Sequence, residues 1–155
     1  MKLYLAQHGD SLPEQVNPER PLSEQGQEDI RRLAEFVAGA GVRVRRVYHS
    51  GKLRARQTAE LLGAHLAPGE AIEAASGLNP NDPVEPLANQ IDAWTKDALL
   101  VGHLPFMGRM VTRLVCRAED RQIAAFQPGS LACLERDADG HWAVAWMLRP
   151  ELFRH

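Results

Sequence analysis

Three short strand-like runs, each stopping at a histidine, limit what this chain can fold into. Leu3-Tyr4-Leu5-Ala6 gives way to Gln7-His8-Gly9-Asp10, the valine-rich stretch from Val42 to Tyr48 ends at His49-Ser50, and Ala98-Leu99-Leu100-Val101-Gly102 runs into His103. Apolar runs this short, bounded by turn-forming residues, read as strands buried in a sheet. Between them lie stretches of helical period. Ser23 as N-cap and Glu24 in the first turn open a helix that buries Ile30, Leu33, Ala34 and Val37 and stops at Gly39-Ala40-Gly41. Ser50 is expected to cap a second helix, with Thr58, Leu61 and Leu62 on one face and fraying at Gly63. Residues 67–82 read as loop. Asp82, Pro83 and Glu85 form a capping-box pattern before a third helix that buries Val84, Leu87, Ile91 and Trp94. Pro105 is placed at the first position of a fourth helix, with Met107, Met110, Val111, Leu114 and Val115 facing inward.

The last third alternates instead. Ser130–Arg136 and His141–Leu148 flank Asp137-Ala138-Asp139-Gly140, a hairpin signal, and put Trp142, Val144 and Trp146 on one face of the final strand, expected in the core. Alternating strands and helices followed by a hairpin predict an α/β fold. The expected form is a three-layer α/β/α sandwich, with a mostly parallel sheet and an antiparallel C-terminal hairpin at its edge. The 155 residues fit one domain, 1–155, with no repeat or linker.

Composition narrows the function classes. Hydrophobic residues make up 45% and charged residues 25%, as in ordinary soluble domains. The two cysteines, Cys116 and Cys133, make neither a disulfide framework nor a CxxC pair. No apolar run is long enough to span a membrane, and the start is too short for a signal peptide, so a cytoplasmic location is expected. The net charge of −2 hides an uneven distribution. Residues 41–56 carry Arg43, Arg45, Arg46, Lys52, Arg54 and Arg56 with no acid, whereas 67–92 carry five acids and no base. Aromatic residues do not alternate with the basic ones, which argues against nucleic acid and favours a phosphate-bearing partner.

In a parallel sheet the carboxyl ends of the strands line one rim, where ligands bind. His8, Ser50 with Arg54, and His103 all fall there. Two histidines and an arginine at helix N-termini suit a phosphate site with a nucleophile. There is no HxxE or HExxH pair, no carboxylate cluster and no GxxxxGK[ST] loop, so neither metal nor cofactor is expected.

These segments resemble, in order, the motifs of the histidine phosphatase (phosphoglycerate-mutase-like) superfamily. Leu5-Ala6-Gln7-His8-Gly9-Asp10 is similar to its Arg-His-Gly opening, and Pro21-Leu22-Ser23-Glu24-Gln25-Gly26 to its Leu-Thr-x-x-Gly helix start. Residues 50–59, Ser-Gly-Lys-Leu-Arg-Ala-Arg-Gln-Thr-Ala, resemble its Ser-Pro-x-x-Arg-Ala-x-Gln-Thr-Ala segment. Gly102-His103-Leu104-Pro105 resembles the second-histidine motif in the form found in the small SixA-type phosphohistidine phosphatases. The resemblance implies catalytic roles for His8 as phosphoryl acceptor, Arg54 as phosphate clamp and His103 as charge stabiliser. Gln7, Gly9, Ser50, Arg20 and Asp10 are the candidate substrate- and phosphate-binding residues. The implied activity is metal-independent hydrolysis of phosphohistidine on a signalling or phosphotransfer protein, or of a small phosphorylated substrate, with inorganic phosphate as product.

Two departures bear on that activity. Gln7 stands where the family has arginine, and an amide brings neither charge nor fork. Arg20 either leans into the pocket or stays on a surface loop. Ser76-Gly77-Leu78 holds no carboxylate where larger members keep a general acid, and Asp10 reads equally as a loop cap or as an acid. An alkoxide leaving group needs such an acid, whereas the imidazole leaving phosphohistidine is readily protonated. Two alternatives therefore stand beside phosphohistidine hydrolysis: a phosphate-recognising pseudo-phosphatase weakened by Gln7, and a broad small-molecule phosphomonoesterase using Asp10.

Overall fold

A computed structural model describes residues 1–154. Six strands form one sheet in the order β3-β2-β4-β1-β5-β6. These are β1 (Lys2–Gln7), β2 (Arg46–His49), β3 (Ile72–Ala74), β4 (Ala98–Gly102), β5 (Leu131–Arg136) and β6 (Trp142–Leu148). The first four strands in that order are mutually parallel, and β5 runs antiparallel to both β1 and β6. The expected mostly parallel sheet with a C-terminal hairpin at its edge is what the chain forms.

Helices α1 (Glu24–Gly39) and α2 (Leu53–Leu66) cover one face, where Ile30, Leu33, Val37, Leu62 and Leu66 pack on Tyr4, Leu99 and Val101. Helices α3 (Glu85–Asp92) and α4 (Phe106–Cys116) cover the other, where Leu87, Ile91, Phe106 and Met110 pack on Leu3, Leu5 and Leu100. Because β1 and β4 are covered on both faces, every residue of Leu3–Gln7 and Ala98–Gly102 is buried, which explains the unbroken apolar character of Leu3–Ala6 and Ala98–Gly102. Burying a leucine or phenylalanine side chain contributes about 1.5–3 kcal/mol, so these central strands anchor the rim that follows them. After β1 the chain passes to one face and after β4 to the opposite face. The neighbouring ends of β1 and β4 therefore flank a topological switch point, the crevice where open α/β sheets bind ligands.

Several local expectations are corrected. Residues 42–45 lie outside β2: Val44 and Arg45 donate their N–H groups to Leu66 O and Asp97 O (both 2.9 Å). The loop read over 67–82 contains β3, too short and too exposed to show a period. Helix α3 begins two residues after the expected Pro83, and the carboxylate of Asp82 accepts from Asn79 N (2.9 Å) instead of capping it. Glu85 pairs with Arg113 of α4. Pro105 is the residue before α4, not its first. Gly63 does not fray α2, since the helix continues to Leu66 and a Cβ at Gly63 would sit 2.8 Å from Ile72 Cδ1. The register of β5 and β6 shifts between Cys133 and Leu134, so Trp142 joins the α3/α4 core while Trp146 packs against the α1/α2 core. Val144 is 42% exposed and belongs to neither core.

Candidate active site

His8 follows β1 by one residue and is fixed through its backbone. Its N–H donates to Gly102 O (2.9 Å) and its C=O accepts from Gly129 N (2.9 Å), so β4 and the loop before β5 hold it from both sides. The next residue, Gly9, donates to Thr58 Oγ1 (3.0 Å), and Thr58 in turn donates to Arg54 O (2.8 Å) on the first turn of α2. Helix α1 closes the third side. A Cβ at Gly26 would lie 2.0 Å from Asp10 O, so only glycine lets this helix press against the loop.

The His8 side chain is 8% exposed, and its Nδ1 lies 2.7 Å from Gly9 O. A carbonyl can only accept, so Nδ1 carries the proton and Nε2 is left with a free lone pair. His103, 2% exposed, follows β4 in the adjoining register, and the two imidazole centroids are 5.0 Å apart. Nε2 of His103 lies 2.7 Å from Ser50 Oγ, while its Nδ1 is buried with no partner among the described residues. When Ser50 donates to Nε2, Nδ1 presents a buried N–H. Arg54 likewise keeps a buried Nε with no partner, and Gln7, 7% exposed, a buried Oε1 with none. Unsatisfied buried polar atoms are uncommon in native interiors, and three side chains carrying them lie together at the β1–β4 crevice.

Burial drives both imidazoles toward the neutral form. It lowers the pKa of His8 to about 4, reinforced by the Arg54 charge. Burial also lowers His103 to about 3, with His8 and Arg54 adding to the effect. Both are therefore neutral at pH 7. The linkage sign follows. Between pH 6.5 and about 4 the unfolded chain binds protons that the folded chain refuses, so folding stability is full above 6.5 and declines as pH falls through that window. Melting temperatures measured from pH 8 to pH 4 are expected to drop below pH 6.5, and His8→Asn is expected to flatten the drop. An unchanged slope in that variant would contradict the burial assignment.

The remaining sequence-predicted residues sort clearly. Ser50 is not the N-cap of α2, a position taken by Lys52; its hydroxyl accepts from Lys52 N (3.3 Å) and bonds His103 Nε2. Asp10 is exposed and accepts from Ser23 Oγ (2.5 Å), tying the loop to the start of α1. Arg20 is part-buried, bonded to Leu12 O and Ser11 Oγ, and its charge acts on His8, Arg54 and His103 alike. The other arginines of the basic segment disperse: Arg45 pairs with Glu70 and Arg56 with Glu60 at the surface. Thr58, Gly26 and Gly129 support the site without having been singled out as site residues. Thr58 sits inside the Arg-Ala-x-Gln-Thr-Ala segment, whereas nothing local marks Gly129.

Neither imidazole has a carboxylate partner for a metal. The described His/Asp group with ligand atoms within 4.8 Å, Asp137, Asp139 and His141, is exposed at the β5–β6 turn. Antiparallel pairing of Lys2 with Glu135 puts that turn at the opposite rim. None of the described helices is long and apolar enough to cross a membrane.

This fold and crevice define a class, and the chain belongs to it: the histidine phosphatase superfamily (branch 1), whose profile matches residues 3–79. Among its relatives, phosphohistidine phosphatase SixA of Escherichia coli (strain K12) is 28% identical over 155 residues, covering 97% of this chain and 94% of that one. A solved structure of the protein histidine phosphatase SixA complexed with tungstate matches with a TM-score of 0.88 at 26% identity, covering 99% of this chain and 100% of that one. An uncharacterised protein of Picosynechococcus sp. is 32% identical over 116 residues, 70% of this chain and 69% of the other. The chain is thus a histidine-phosphatase-superfamily hydrolase.

Proposed function

We propose that this chain hydrolyses phosphohistidine on a protein, passing the phosphoryl group through His8. The observation that carries the reading is the Nδ1 bond of His8 to Gly9 O, which leaves a neutral Nε2 free beside His103. In the first step the Nε2 lone pair attacks phosphorus in line. The P–N bond of the substrate breaks, and the departing imidazole keeps the electron pair and takes a proton from solvent. In the second step water attacks the phosphoryl group on His8, Nε2 regains its lone pair and inorganic phosphate leaves.

Through both steps, negative charge sits on the equatorial oxygens. The guanidinium of Arg54, with its unpaired Nε, meets them as a charge-assisted donor, and Nδ1–H of His103 is a second donor, held by Ser50. Gly9 lets the backbone approach closely, and the Gln7 amide lies beside it. Among the described residues no carboxylate is placed to protonate an alcohol: Asp10 is engaged with Ser23, and Gly77 stands where larger family members keep an acid. This supports a phosphoramidate over an alkyl phosphate, because its leaving imidazole needs less help. The similarity to the E. coli phosphohistidine phosphatase along nearly its whole length, and to the solved protein histidine phosphatase SixA, supports the same substrate class on a protein partner.

The test compares kcat/KM on a phosphohistidine peptide and on an alkyl phosphate such as phosphoserine peptide. The peptide phosphoramidate is expected to be preferred by at least about 100-fold, the contribution of one missing general acid. Equal rates would overturn the substrate assignment in favour of a broad phosphomonoesterase.

A further inference from the structure

The loop between β1 and α1 is stitched shut at its base. Ser23 N donates to Asp10 O (2.9 Å), Ser11 and Leu22 form an antiparallel bridge, and Leu12 N donates to Pro21 O (2.9 Å). Arg20 stands at this seam with φ of 50°, in the left-handed region that residues with side chains rarely adopt. Neutral oxygens hold its guanidinium: Nε donates to Leu12 O (3.2 Å) and Nη2 to Ser11 Oγ (3.0 Å). Among the described residues, neither Arg20 nor Arg54 forms an ion pair. The charge of Arg20 nevertheless reaches Arg54, His8 and His103, and its loop is tied to α2. Leu22, two residues after Arg20, donates its N–H to Gln57 Oε1 (2.8 Å), and Gln57 is one helical turn from Arg54 on α2.

Burial, and the charge of Arg20 with it, disfavours the charge on Arg54, and two guanidinium groups left without a carboxylate form an arrangement that an anion between them would stabilise. The strained backbone points the same way, because sparsely populated conformations persist at sites where a ligand is held. We propose that Arg20 supplies the second cationic contact to the phosphoryl group, the contact that the neutral amide of Gln7 cannot make. This deepens the proposed function and rests on it. Positive charge reaches the substrate from a stitched loop instead of from the end of β1.

The test is calorimetric titration with inorganic phosphate of the wild type, Arg20→Gly, Gln7→Arg and the double variant. Arg20→Gly removes the charge while relieving the left-handed backbone, so the melting temperature is expected to hold or rise. Its phosphate affinity is expected to fall by about tenfold or more, the loss of one charge-assisted contact. In the double variant Gln7→Arg is expected to bring affinity back to within about threefold of wild type, because a guanidinium returns to the same anion. Arg20→Gly binding phosphate within twofold of wild type would overturn the inference, as would a double variant no tighter than Arg20→Gly. A wild type that binds phosphate with Arg20→Gly unaffected sinks this inference alone, whereas a wild type with no affinity for phosphate sinks the reading of the site as well. Should Arg20→Gly fail to fold, Arg20→Gln is titrated in its place with the same expected loss and the same rescue.

Discussion

His8→Ala is expected to lower kcat on a phosphohistidine peptide by roughly four orders of magnitude or more, as removal of a covalent nucleophile does in other enzymes. The expectation rests on geometry that leaves the chemistry to a single atom. Nδ1 of His8 is committed to Gly9 O, so Nε2 alone can accept the phosphoryl group, and the neighbouring imidazole is held by Ser50 at its own Nε2. The fold is expected to survive, because the backbone bonds from His8 to Gly102 and Gly129 remain in the variant. A melting curve close to wild type checks that the loss is chemical. A variant that folds and retains wild-type turnover removes the nucleophile assignment and the mechanism with it.

Gln7→Arg is expected to raise turnover, by roughly 30- to 1,000-fold, if one charge-assisted contact contributes about 2–4 kcal/mol to the transition state. On the proposed mechanism the neutral Gln7 amide, whose buried carbonyl has no partner among the described residues, stands where a charged donor would meet a phosphoryl group whose charge is spread over three oxygens. With Arg20 already near the site, the gain in the wild-type background falls toward the lower end of that range. In an Arg20→Gly background the gain is larger, since residues acting on one anion are not additive. The increase is expected in kcat more than in KM, as for an interaction that strengthens in the transition state. No acceleration in either background would mean that the site does not lack charge at position 7.

Most of the fold could be read from the chain because buried parallel strands leave an unmistakable trace. Leu3–Ala6 and Ala98–Gly102 are apolar at every position since helices cover both faces, and the helices between them repeat at 3.6 residues. Short elements escaped for the converse reason. β3 has three residues, none of them fully buried, and residues 42–45 before β2 pack Val42 and Val44 against the α1/α2 core without ladder partners. The bulge that sends Trp146 to the opposite face from Trp142 depends on pairing with β5, which alternation within one strand cannot reveal.

The site divides along the same line. His8, Arg54 and His103 are placed by strand ends and a helix start, so their meeting follows from topology. Ser50 reads from sequence both as the cap of α2 and as a phosphate-site residue; the first reading fails because an N-cap and a hydroxyl bonded to a neighbouring imidazole have the same local sequence. Its partner, His103, is 53 residues away. Arg20 could be placed only by long-range structure: nothing in Pro18-Glu19-Arg20-Pro21 shows that Leu12 and Ser11 will hold its guanidinium.

The central claim is that the phosphoryl group passes through Nε2 of His8, and trapping that intermediate tests it most directly. Wild-type protein mixed with a phosphorus-labelled phosphohistidine substrate is quenched in base within the first turnover, digested and mapped. The label is expected on the peptide containing His8, stable to base and lost in acid as a P–N bond is, and absent from His8→Ala. Label on another residue, or turnover in the wild type with no labelled protein at any quench time, would contradict the account.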